Sequence, residues 1–398
     1  MSTSNDAPGG AATEQANVQT VIEARIDPDE NTEDRTSDIG SEISSNSSVS
    51  SSVYEFRIEN GRRYQTYREG SESRSLSCFH LQTDVYNQEY HYPIDERESE
   101  RLGEAPYLPI LTHLCSSRLK FNVPSDLQHW LCLGSFRNKL GLAPPNDEGS
   151  SVKRVLDLGT GTGLWAIEFG DEHPEAEVIG VDIVPPQSVG SVPPNVLFEI
   201  DDIDETWTYS QPFDYIHSRM MTSSISDWKK YLQKCFDHLE PNGYLELQEA
   251  DLFPQSDDGT LKPDAAIIQS CENVQKACTI FGRPFASIPD LATIMTEVGF
   301  EDVVLTKNKW PMNSWPKDQH YKTLGAWSLE NYLQGIEGWT MPAFTKGLGW
   351  TKDQVQVFLI DVRNEMKDRT IHAYWPVYSI YGRKPVPAPD GTKSQYEN

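Results

Sequence analysis

The stretch Val152-Lys-Arg-Val-Leu-Asp-Leu-Gly-Thr-Gly-Thr-Gly163 decides the reading of this chain. Its first half is apolar and β-branched, as suits a buried parallel strand. Its second half places glycine at 159, 161 and 163, and Leu164, Trp165, Ala166, Ile167 and Phe169 then open a helix. Strand, glycine turn and helix in succession make a nucleotide-binding loop. Glycine suits it because, without a Cβ, the backbone reaches positive φ and comes close to a ligand. The spacing excludes two common versions. A G-x-G-x-x-G dinucleotide fingerprint counted from Gly159 needs a third glycine where Leu164 stands, which counts against an NAD-dependent oxidoreductase. A P-loop needs glycine and lysine where Leu164 and Trp165 stand.

What stands here is Asp157 two positions before Gly159-x-Gly161-x-Gly163. That string resembles the first motif of class I S-adenosylmethionine methyltransferases, which implies Asp157, Gly159, Thr160, Gly161 and Gly163 as cofactor-binding residues. An acidic residue beside the loop suits the ligand's ammonium, and there is no pyrophosphate to cradle. Three further apolar segments end in polar residues. They are Glu177–Asp182, Asn195–Asp202 and Pro212–Arg219. Ligands bind beyond the carboxyl ends of parallel strands, and a Rossmann-like fold places an acid about where Asp182 falls, for ribose hydroxyls. Ile183 follows it. The resemblance puts Asp202 and Ile203 beside adenine.

Outward from this core, residues 1–52 hold ten carboxylates against Arg25 and Arg35 and close in a serine-rich run, so they read as a disordered acidic tail. They account for only part of the formal net charge of −26. An acidic surface repels phosphate backbones, so direct nucleic-acid binding is not expected. No apolar run approaches the length of a membrane span, and the first residues lack the basic-then-apolar pattern of a signal peptide. The expected location is cytoplasmic or nuclear. The six cysteines (78, 115, 132, 235, 271 and 278) form no C-x-x-C pair or zinc spacing and read as reduced thiols, and no metal site is expected.

Residues 53–149 read as a helical lid region, with helices at Tyr92–Leu102 and Asp126–Leu133. Here a longer resemblance begins. The N-G-R-x-Y run (60–64), the D-E-R-E helix (95–98), D-L-Q-H (126–129) and the glycine loop occur in the order found in fungal LaeA-like methyltransferases. The match continues through I-H-S-R-M (216–220), L-E-L-Q-E (245–249), S-D-D-G-T-L (256–261), P-K-D (316–318) and I-H-A-Y-W-P (371–376). It implies that Tyr64 and Arg68 close over the cofactor. Where the family runs almost directly from the D-E-R-E helix into D-L-Q-H, this chain interposes Gly103–Ser125, a surface insertion or a translated intron.

The rest alternates. A helix is expected over Ser226–Leu239 with Ser226 as N-cap, stopped by Glu240-Pro-Asn-Gly243. A strand at Tyr244–Glu249 follows, then helices near 264–281 and 290–298 and a strand at 301–307. A helical, aromatic segment spans about 315–370, interrupted at Gly335, Gly338, Pro342 and Gly347, and a last strand falls at 374–382. The expected fold is α/β and Rossmann-like. By resemblance it is the class I methyltransferase sheet of seven mostly parallel strands, spanning 150–384 with helices on both faces, followed by a loose tail at 385–398. The resemblance implies transfer of a methyl group from S-adenosylmethionine to a small molecule of fungal secondary metabolism, or a regulator that binds the same cofactor and acts through protein partners. His217 after the fourth strand and Glu249 after the fifth are the candidate general bases, and Arg219 could orient an acidic substrate.

Overall fold

The computed structural model describes residues 18–29, 127–186 and 192–387, and the backbone alone of 56–59 and 62–65. The elements in chain order are β1 (Gln19–Ile22), β2 (Phe56–Glu59), β3 (Arg62–Gln65), α1 (Leu127–Ser135), β4 (Arg154–Leu158), α2 (Leu164–Glu172), β5 (Glu177–Asp182), β6 (Val196–Ile200), β7 (Phe213–Arg219), α3 (Trp228–Asp237), β8 (Leu239–Ala250), β9 (Gln255–Ser256), α4 (Ala266–Ile280), α5 (Ile288–Val298), β10 (Glu301–Pro311), α6 (Gln319–Pro342), α7 (Lys352–Lys367) and β11 (Ala373–Arg383). The helix expected at Tyr92–Leu102 and the Gly103–Ser125 segment lie outside the described residues.

The main sheet runs β1-β10-β11-β8-β7-β4-β5-β6, with β9 added beside β11. From β6 to β8 every pairing is parallel, and β11 is antiparallel to both its neighbours β8 and β10. From β4 the chain moves outward through β5 and β6, then returns to β7 on the other side of β4. That reversal opens a crevice at the carboxyl ends of β4 and β7, where a ligand is received in such sheets. The expected seven-stranded Rossmann-like sheet is therefore present. β4 is buried along nearly its whole length because helices cover both faces. Against one face pack Trp165, Ala166 and Phe169 of α2. Against the other pack Trp228, Tyr231, Leu232 and Cys235 of α3 and Leu291, Ala292 and Met295 of α5. A third cluster joins α1, α4, α6 and α7 to Trp310, Trp375 and Val377 and caps the outer strands.

The structure corrects four local expectations. First, within the segment read as a disordered tail, Gln19–Ile22 forms β1 and pairs in parallel with Val304–Lys307. The Glu23 carboxylate accepts from Lys309 N at 2.9 Å and from the Tyr321 hydroxyl, and Asp29 pairs with Lys322 at 2.6 Å. Val21 and Ile22 stay exposed, while Ile26 is buried and Val18 packs against the core, so backbone pairing and charge hold this segment together with a small apolar anchor. Second, with β1 and the two-residue β9 added, the sheet has nine strands among the described residues. Third, the N-cap of α3 is Asp227, which accepts from Lys230 N at 3.0 Å, one residue later than Ser226. Fourth, α6 runs through Gly335 and Gly338 unbroken. Its one glycine under tight constraint is Gly325, where a Cβ would stand 2.0 Å from the Asn313 carbonyl oxygen.

One buried acid ties the chain before β4 to the sheet. Glu246 is fully buried on β8, and its carboxylate accepts from Leu142 N (2.8 Å), Ala143 N (2.8 Å), the Tyr215 hydroxyl (2.9 Å) and the Ser379 hydroxyl (2.7 Å). Burial and the adjacent carboxylate push the Tyr215 phenol well above its ordinary range. Glu246→Ala strands several buried donors at once. It is expected to destabilise the fold by roughly 3 kcal/mol or more, read from urea denaturation.

Candidate active site

The glycine loop closes between β4 and α2. Gly159 N and Thr160 N both donate to the Val181 carbonyl, at 2.9 and 3.0 Å, which hangs the loop on the end of β5. Gly159, Gly161 and Gly163 take φ of +71°, +58° and +81°, in the left-handed region that side chains disfavour. A Cβ on Gly159 would lie 2.3 Å from Met221 Sδ, whereas among the described residues one on Gly161 would meet only the Gly159 carbonyl oxygen, 4.0 Å away. The backbone at Gly161 thus borders open space. Gly163 caps α2, whose first turn begins beside that space.

The sequence-selected acids divide into two kinds. Asp182, at the end of β5, is only partly buried. Its Oδ2 accepts from Gly161 N at 2.9 Å and its Oδ1 from Val184 N at 3.2 Å. Each carboxylate oxygen has two lone pairs, so both retain capacity toward hydroxyl donors. Asp202 lies just past β6, nearly buried, and accepts from Asp204 N at 2.9 Å. The carbonyl of Ile203 accepts from Lys234 Nζ at 2.7 Å and from the Trp207 indole at 3.1 Å. Ile183 is partly buried after Asp182. Asp157, by contrast, points inward. It accepts from the Thr160 hydroxyl at 2.6 Å and from His217 Nδ1 at 2.7 Å. It holds the loop's own conformation and presents no oxygen to solvent in quantity, being 2% exposed. Tyr64 lies on β3, opposite Arg57, but its side chain and Arg68 are outside the described residues.

Both expected bases are sealed. His217 is fully buried, with its ring stacked on Trp165 at 3.8 Å. Glu249 is also fully buried and accepts from Met221 N (2.9 Å), Thr222 N (3.0 Å) and the Thr222 hydroxyl. Burial pushes its carboxyl up to about 7 despite these donors. In this structure neither side chain is open to an acceptor. Glu249 pins the Met221–Thr222 turn, and Met221 in turn packs on Gly159. The residue preceding that turn, Met220, has φ of +56°, a strained backbone at the mouth of the crevice. Both terminal guanidinium nitrogens of Arg219 lie 3.3 Å from His129 Nδ1, and His129 Nε2 lies 3.1 Å from Glu168. Arg219 therefore bridges β7 to α1 and α2. Met221, Thr222 and Trp165 were not singled out by sequence, because nothing in their local pattern announces a site. Asp251, one residue past β8, is another: it is partly buried, and burial raises its carboxyl against the opposing pull of Lys307. Among the described residues, no group of three His, Cys, Asp or Glu could hold a metal ion, and no helix is long and apolar enough to cross a membrane.

Comparison with known proteins accords with this geometry. A methyltransferase-domain family model matches residues 128–305. The methyltransferase pytC of Aspergillus terreus is 34% identical over 84% of this chain and 89% of its own length. The chain belongs to the fungal LaeA-like methyltransferase family. The secondary metabolism regulator LAE1 of Cochliobolus heterostrophus is 31% identical over 82% of this chain and 94% of its own. The probable methyltransferase tdiE of Emericella nidulans is 35% identical over 65% and 80%. This chain is an S-adenosylmethionine-dependent methyltransferase with a class I, Rossmann-like fold. The residues present fit that cofactor. Gly161 leaves room for a ligand against the backbone, and Asp182, the last residue of β5, keeps acceptor capacity for hydroxyls.

Two measurements check these assignments. Asp182→Ala is expected to weaken S-adenosylmethionine binding by roughly 1.5–3 kcal/mol, read by calorimetry, from loss of charge-assisted hydrogen bonds. Glu249 titrates upward on folding, from the usual 4.5 to about 7, so the folded state binds the extra proton between those values. Stability must then fall as pH rises through that window. Relative to Glu249→Gln, the wild type is expected to lose up to about 3 kcal/mol between pH 5 and pH 8, read by urea denaturation at each pH.

Proposed function

We propose that this methyltransferase acts on a small organic acceptor of fungal secondary metabolism, with the cofactor held by Gly159–Gly163 and Asp182. The observation that carries the reading is the open space at Gly161 beside the Asp182 carboxylate, at the crevice between β4 and β7. The two relatives whose names call them methyltransferases, pytC and tdiE, support it. So does the cap over the outer strands, where the partly buried Met220, Phe253, Phe285, Tyr332 and Trp339 supply apolar and aromatic surface suited to a small ligand. The net charge of −26 argues against a nucleic-acid acceptor.

When bound, the cofactor supplies a methyl group on a sulfonium, an already activated leaving arrangement. The protein's part is positioning and exclusion of water. The loop and Asp182 orient the donor, the turn at Met220–Thr222 shapes the near wall, and the cap of α4, α6 and α7 covers the acceptor side. Neither His217 nor Glu249 is needed as a base in this scheme. A second reading is a regulator working through protein partners, favoured by the similarity to LAE1 over 82% of this chain and 94% of that protein.

Calorimetric titration with S-adenosylmethionine, S-adenosylhomocysteine and NAD tests the site. Micromolar binding of the first two and none of NAD is the expected result. Gly161→Val, which fills the open space, should abolish it. Incubation with methyl-labelled cofactor and separated small-molecule and protein extracts then tests the acceptor. Label in the small-molecule fraction supports the primary reading, and label confined to protein supports the second.

A further inference from the structure

His217 touches the glycine loop at both of its ends. On β7 it lies directly across from Asp157 of β4 in the parallel ladder. Its Nδ1 is 2.7 Å from Asp157 Oδ1, and a carboxylate only accepts, so the hydrogen resides on Nδ1. The other Asp157 oxygen takes the Thr160 hydroxyl at 2.6 Å. The imidazole also stacks on Trp165, with ring centroids 3.8 Å apart and planes 4° from parallel. Trp165 is the second residue of α2, just past Gly163, and its indole N–H is fixed on the Leu140 carbonyl at 3.0 Å. One imidazole therefore holds the residue that enters the loop and the residue that leaves it.

We propose that His217 is a positioning residue that clasps the cofactor loop, setting Asp157 through Nδ1 and Trp165 through its ring face. This rests on Gly159–Gly163 being the S-adenosylmethionine loop. A loop with three glycines at positive φ has much conformational freedom to lose on binding. Holding it in its bound shape beforehand removes that cost from the affinity. His217 Nε2 is buried with no partner among the described residues, so the working parts are Nδ1 and the ring face. That division dictates which substitutions should succeed. An asparagine amide nitrogen takes the place of Nδ1. A glutamine amide nitrogen takes the place of Nε2. A phenylalanine keeps the stacking face and loses the donor.

The test is S-adenosylhomocysteine titration of the full-length chain as wild type, His217→Asn, His217→Gln and His217→Phe. Tyr215→Phe serves as the control, since it disturbs the same face of β7 at Glu246 without touching Asp157. Loss of the donor to a charged group should weaken binding about 10-fold or more in His217→Phe and His217→Gln. His217→Asn keeps the donor and loses the ring face, so it should bind at least about 3-fold more tightly than His217→Gln but more weakly than wild type, and Tyr215→Phe should bind as wild type at a lowered melting temperature. Wild-type affinity in His217→Phe would overturn the proposal. If His217→Phe does not fold, equal affinities for His217→Asn and His217→Gln would overturn it. A wild type that does not bind S-adenosylhomocysteine would instead remove the cofactor reading, and the proposal with it.

Discussion

A carboxylate taken out of water beneath a glycine turn is costly unless donors meet both of its oxygens. Asp157 satisfies that requirement with the Thr160 hydroxyl on one side and the His217 ring on the other. Much of the site follows from this. Thr160 is drawn down toward the sheet, so the loop backbone turns outward at Gly161. The pull is matched from β5, where the Val181 carbonyl takes two loop amides. On the far side, Met221 packs against Gly159, and Glu249 holds that turn through two amides and a hydroxyl. The loop is thus braced from β5, β7 and β8 at once, while its Gly161 edge faces open space.

The same device recurs away from the site. Glu246 is a second buried acid on the sheet, and it gathers amides and hydroxyls from the 140–146 segment, β7 and β11. Apolar packing supplies the bulk of the cohesion but has no direction. Buried acids with several donors add direction: they set which backbone amide meets which strand. Asp157, Glu246 and Glu249 therefore register neighbouring strands and the loops between them against one another.

At the sheet's outer edge a different economy operates. β10 would present a row of unpaired backbone groups, which proteins commonly cover. Here β1 covers it from residues 18–29, far upstream in the chain. The β1 side chains themselves contribute little burial, so ladder bonds, the Glu23 acceptor, the Asp29–Lys322 pair and the buried Ile26 make the attachment. This also links the edge strand to the start of α6, and so to the helical cap over the outer strands.

The amino-acid sequence by itself determined the parallel core, because apolar strands ending in polar residues and a glycine run leave local marks. β4, β5, β6 and β7 fall within two residues of where their patterns place them, and α1, α4 and α5 within two as well. The same local chemistry made the loop and Asp182 stand out. Burial and long-range pairing leave no such mark, and there only the tertiary structure decided. His217 and Glu249 look alike to an exposed base in one dimension, yet the packing of α2 and of the Met221 turn seals them. Residues 18–29 look like a tail because their attachment uses backbone groups, which every residue carries, charges whose partners lie hundreds of positions away, and a single buried isoleucine, Ile26, too isolated to make a pattern. A hydrophobic pattern reports what a residue prefers to leave; it does not report what that residue meets.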